Sequence, residues 1–122
     1  MIGVVVAAHG DLADAFVSTA RFVVRTEAHV AAVGIRPEDD SASYERRLKE
    51  AVEAVSTGDG VLVLTDMFGG TPSNVGLTVH DAGAVEVLTG ANLPMLIKAM
   101  QLGDQEINIV DIVKPITKYA VT

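Results

Sequence analysis

Apolar runs too short to be helices alternate with stretches of helical period along this chain, and that alternation leaves few folds open. Ile2–Ala8, His29–Ile35, Val61–Thr65 and Ala84–Leu88 are brief runs, mostly Val, Ile, Leu and Ala, and each ends at a turn signal such as Gly10 or Arg36-Pro37. Between them lie helical patterns. Leu12, Ala15, Phe16, Thr19, Phe22 and Val23 predict one apolar helix face after Asp11, which is placed to cap it. Tyr44, Leu48, Ala51, Val52 and Val55 mark a second helix, with several caps on offer between Asp39 and Ser43. A third starts near Thr71, where Pro72 is pre-set for the first turn. A fourth covers Leu93–Leu102. Strand and helix in alternation imply a three-layer α/β sandwich, with a central, mostly parallel four-stranded sheet and helices on both faces. The tail is ambiguous. Ile109, Ile112, Val113 and Ile116 have helical spacing, but Pro115 argues against a helix, and an extra antiparallel edge strand near Ile107–Val110 competes.

The length of 122 residues fits a single domain, residues 1–122, with enough core to stand without staples. The apolar fraction of 49% comes mostly from aliphatic residues, which suits strands buried on both faces. With no cysteine, thiol catalysis and Cys-ligated metal are excluded, and the three histidines lack zinc-ligand spacing. A net charge of −7 argues against nucleic acid and welcomes a basic protein partner. The first apolar run lacks a basic leader and is too short to span a bilayer, so a cytoplasmic protein without membrane insertion is expected. No GxxxxGK[ST] or GxGxxG occurs, so neither a nucleotide nor another cofactor is expected.

Two of the strands end in polar residues. GVVVAAHGDLADAF closes its strand with His9-Gly10, and VLVLTDMFGGTPSNVG closes its own with Thr65-Asp66 and then a Gly-Gly pair. In an open parallel sheet, ligands bind outside the carboxyl ends of the strands. If the first and third strands are neighbours, His9 and Asp66 meet. A carboxylate on one ring nitrogen fixes the tautomer and leaves the other nitrogen's lone pair free as a nucleophile for phosphoryl transfer. Gly69 and Gly70 would let main-chain N–H groups approach a phosphoryl group, and Thr71 would add a hydroxyl at a helix start. The same residues also read as ordinary turn and helix-start chemistry. Their joint placement on one sheet edge is what favours a site. His29 and His80 receive no role, and Glu38-Asp39-Asp40 reads as a solvated loop and helix cap.

AAHGDLADAF, LTDMFGGTPSN and TGANLPML, in this order and spacing, resemble the IIA domain of the mannose family of the bacterial phosphoenolpyruvate-dependent sugar phosphotransferase system. The resemblance runs from Met1 to about Leu102. It implies a homodimeric phosphocarrier whose histidine, matching His9, takes a phosphoryl group from HPr and passes it to a IIB domain for sugar uptake. Asp66 matches the aspartate of the second motif, and Gly69, Gly70 and Thr71 match its phosphate-binding loop. Asn92–Met95 resembles the stretch beside the site and the dimer contact. Ser73 stands where the family usually has a large residue, which thins the apolar rim. No Ala/Pro-rich linker follows, so the resemblance implies a free-standing IIA served by a separate IIB protein. Two alternatives remain: a regulatory phosphoacceptor with no transport role, and a small tetrapyrrole metal chelatase, some of which also carry Ala-His-Gly at a strand end.

Overall fold

A computed structural model describes residues 1–24, 29–66, 78–81, 84–103, 105 and 107–119. Four strands, β1 (Gly3–His9), β2 (Val30–Ile35), β3 (Val61–Thr65) and β4 (Val85–Leu88), form one sheet in the order β2-β1-β3-β4. Every neighbouring pair is parallel. The described helices are α1 (Leu12–Val23), α2 (Ser41–Val55), α3 (Leu93–Gly103) and α4 (Ile109–Thr117). The expected third helix, from Thr71, lies outside the described residues apart from Thr78 and Val79, which are helical.

Alternation along the central strands divides the core in two. Val4, Val6 and Ala8 of β1 and Leu62 and Leu64 of β3 pack with α1, α3 and α4. Val5, Ala7, Val61 and Val63 face the other way, onto Tyr44, Leu48 and Val55 of α2. Both faces of β1 and β3 are therefore dry, and this is why their sequences are unbroken apolar runs rather than alternating ones.

Two expectations are corrected. α1 buries Ala13, Val17 and Ala20, leaving Leu12, Phe22 and Val23 exposed. The two stripes are adjacent on the helix, and the one with the smaller side chains faces the sheet, where a low profile lets the helix axis come close. The tail from Ile109 is a helix, not an antiparallel edge strand, despite Pro115 inside it. Ile109, Ile112 and Ile116 are all buried in the α1-side core. Burying three isoleucines, at about 1.5–3 kcal/mol each, outweighs the roughly 3 kcal/mol cost of an interior proline.

Local caps fix where the loops leave. Asp40 accepts the Ser43 N–H at 2.7 Å and starts α2. Asn92 accepts the Met95 N–H at 2.9 Å and starts α3, where Pro94 has no N–H to lose. The Ala91 N–H donates to the Thr65 carbonyl at 2.8 Å, tying the loop before α3 to the end of β3.

Candidate functional site

Strand order reverses between β1 and β3, because β1 continues outward to β2 and β3 to β4. Their register pairs Ala7 with Thr65, so His9 and Asp66 leave the sheet side by side at its carboxyl edge. This is the crevice position where open α/β sheets hold ligands.

One carboxylate oxygen organises the histidine. Asp66 Oδ2 accepts the His9 backbone N–H at 3.1 Å and lies 2.9 Å from His9 Nδ1. An ionised carboxylate only accepts, so Nδ1 carries the proton and the lone pair of the neutral ring sits on Nε2. The Asp66 side chain is 10% exposed and that of His9 is 47% exposed. The orienting group is thus enclosed while the ring opens to solvent. Asp66 Oδ1 and the Thr65 hydroxyl are both buried without a hydrogen-bond partner among the described residues.

The lip is built by Gly10, whose φ of 57° turns the chain sharply after β1. Its N–H donates to the Ile35 carbonyl at 2.7 Å, fastening the turn to the end of β2. Beside His9 a cleft of about 400 Å³ is lined by Gly10, Ile35, Arg36, Pro37 and Asp39. Asp39 accepts the Arg36 N–H at 2.8 Å and the Arg47 guanidinium at 2.7 Å. Asp39 is therefore a tie for this loop and not the solvated residue expected from sequence. Asp11 is corrected as well. Its side chain makes no capping bond to α1 and instead meets the Arg36 guanidinium at 2.5 Å.

Gly69, Gly70 and Thr71 lie outside the described residues, as does Ser73. Asn92 is close by through the Ala91–Thr65 bond, and its amide donates to the Tyr119 carbonyl at 2.5 Å. His80 pairs with Glu86 at 3.2 Å, and His29 lends its backbone carbonyl to Val4 at the far end of the sheet. Neither joins His9. Arg36 is the cleft residue that sequence reasoning missed. Its only signal was a strand-ending Arg-Pro at the same sheet edge as His9.

A family model described as "PTS system fructose IIA component" matches residues 3–116. The chain belongs to this family. It is 27% identical over 106 residues to the "PTS system mannose-specific EIIAB component" of Escherichia coli strain K12, covering 86% of this chain and 33% of that protein. It thus spans about a third of the length of that relative. It is 26% identical over 103 residues to the "PTS system fructose-specific EIIA component" of Bacillus subtilis strain 168, covering 84% and 70%. The crystal structure of phosphotransferase system component EIIA from Streptococcus agalactiae superposes with a TM-score of 0.86 at 26% identity, covering 98% of this chain and 92% of that one. The matched family model and these three proteins are all described as components of the phosphotransferase system. Among the described residues, no helix is long and apolar enough to cross a membrane.

Proposed function

We propose that this protein is a phosphocarrier in which Nε2 of His9 accepts a phosphoryl group from phosphorylated HPr and yields it to a IIB component. The observation that carries this reading is the double acceptance by Asp66 Oδ2 of the His9 N–H and the Nδ1 proton. The lone pair on Nε2 attacks phosphorus as the donor's P–N bond breaks, and that bond's electron pair returns to the donor ring. His9 keeps its Nδ1 proton, so its ring becomes positively charged as the new N–P bond forms. Asp66 meets that charge. This is the orienting and stabilising part that an aspartate plays beside a histidine base. No solvent proton is needed in either direction, which suits a group that must be handed on. Gly69, Gly70 and Thr71 complete this reading as donors to the phosphoryl oxygens.

The test is incubation with labelled phosphoenolpyruvate, enzyme I and HPr. The reading requires an acid-labile, base-stable phosphate on the wild-type protein and none on His9→Ala. An unlabelled wild type, or a labelled His9→Ala, overturns it.

A further inference from the structure

A phosphoryl group on His9 would arrive among carboxylates. Asp66 touches the ring, Asp39 lines the cleft, and Asp11 follows two residues after His9 on the lip. Glu38 and Asp14 add negative potential near Arg36. Asp39 is already paired with Arg47, and Asp66 is committed to the imidazole. Among the described residues lining the cleft, the cation without such a structural commitment is Arg36.

Arg36 is built with a fixed base and a loose tip. Its N–H is tied to Asp39, which is itself held by Arg47, and Arg47 also donates to the Gly34 carbonyl at 3.0 Å. The neighbouring Ile35 carbonyl is fastened to the Gly10 N–H. The backbone of residues 34–36 is therefore anchored at several points around His9. The guanidinium, by contrast, is held by one carboxylate, that of Asp11, whose side chain is 84% exposed. A solvated ion pair of this kind is worth little and exchanges readily. A phosphoryl group carries more charge and offers three oxygens to the planar fork of an arginine.

We propose that Arg36 is an anion-binding residue for the phosphorylated state: it leaves Asp11 and takes up the phosphoryl oxygens on His9. This rests on the reading of His9 as the phosphoryl acceptor. Asp11 then acts as the resting partner that parks the guanidinium when the site is empty. The exchange swaps one ion pair for another and moves no proton.

The experiment measures the equilibrium constant for phosphoryl exchange with phosphorylated HPr, which does not depend on how fast the donor docks, for the wild type and for Arg36→Gln, Arg36→Lys and Asp11→Asn. Both side chains are solvent-exposed, and thermal unfolding checks that each variant folds. Arg36→Gln should lower the constant about three- to tenfold, the scale of a solvent-screened, charge-assisted contact. Arg36→Lys should recover part of the loss, and Asp11→Asn should raise the constant above wild type. The ³¹P resonance supplies a readout that a structural role would not move. A nearby cation favours the dianion, so the second ionisation of the phosphoryl group should occur at higher pH in Arg36→Gln than in wild type. A wild-type exchange constant and a wild-type ³¹P titration in phosphorylated Arg36→Gln overturn the role of Arg36 and leave His9 untouched. A wild-type protein that takes no phosphate overturns the His9 reading, and this one with it.

Discussion

A Cβ placed on Gly34 would lie 2.4 Å from the carbonyl oxygen of Gly10, so the second strand must be bare at the point where it passes the turn that carries His9. The Gly10 N–H is fastened to Ile35 in the same contact, and the two glycines let β1 and β2 converge at the lip of the site. Gly3, at the other end of β1, is equally crowded, with a Cβ 2.4 Å from the Val55 carbonyl. Both contacts are with backbone, which cannot swing aside.

This pairing gives a controlled comparison. Gly34→Ala and Gly3→Ala should each destabilise the protein by about 1–3 kcal/mol through overpacking, as read by urea unfolding. Only Gly34→Ala should also slow phosphoryl transfer per folded molecule, because only that clash displaces the His9 turn. Equal transfer rates in the two variants would show that the lip does not position the ring.

Asp66→Asn keeps the shape of the side chain and removes its charge. The positive ring formed on phosphorylation then has no counter-charge, and the amide no longer dictates which nitrogen holds the proton. Transfer from HPr should fall by about 10²–10⁴-fold, the usual contribution of a positioned acid–base or orienting group. The variant should still fold cooperatively. A wild-type transfer rate in stopped-flow or quenched assays would remove Asp66 from the mechanism.

The adjacency of His9 and Asp66 was legible in the sequence because both follow continuous apolar runs, and the parallel topology that such runs imply aligns strand ends. The polarity of α1 was not. Its larger apolar residues, Leu12, Phe22 and Val23, attract a hydrophobic count, yet the sheet selects the flatter stripe of Ala13, Val17 and Ala20. Close approach depends on the profile of the partner surface, and one helix pattern does not carry that information. Asp11 misled for a related reason. Capping is a local rule, and it does not see a guanidinium arriving from residue 36, which the carboxylate meets instead. The tail misled because proline is a local penalty, whereas the burial of Ile109, Ile112 and Ile116 is a gain visible only once the core exists.

That tail yields a stability prediction. Pro115 offers no N–H to the Asp111 carbonyl four residues earlier in α4. Pro115→Ala should restore that bond and the helix propensity, partly offset by greater freedom of the unfolded chain. A net gain of about 1–2 kcal/mol in urea unfolding is expected. A loss would mean that the half-buried ring packs well enough to outweigh its missing donor.

Tyr44 sets an alkaline limit. It is a fully buried residue of α2, its hydroxyl donates to the Val33 carbonyl at 3.3 Å, and the Arg47 guanidinium lies 5.4 Å from the centre of its ring. Burial pushes its phenol pKa upward, only partly countered by Arg47. A folded-state pKa above the unfolded value of about 10 means that the residue's stabilisation is complete below pH ~10 and is lost as pH rises toward the folded pKa. Tyr44→Phe should cost about 0.5–1 kcal/mol near neutral pH, given the long hydrogen bond. Above pH ~10 the gap between the two proteins should close and then reverse. Parallel unfolding curves at pH 8 and pH 11 check this, and a constant gap would contradict it.

The central claim is that Asp66 holds the Nδ1 proton and so directs phosphorus to the opposite nitrogen of His9. Phosphorylating ¹⁵N-histidine-labelled protein through enzyme I and HPr, then reading the ³¹P–¹⁵N coupling by NMR, tests it most directly. The account predicts coupling to Nε2 of His9, with Nδ1 still protonated. Phosphorus on Nδ1, on His29 or His80, or on no histidine at all would contradict it.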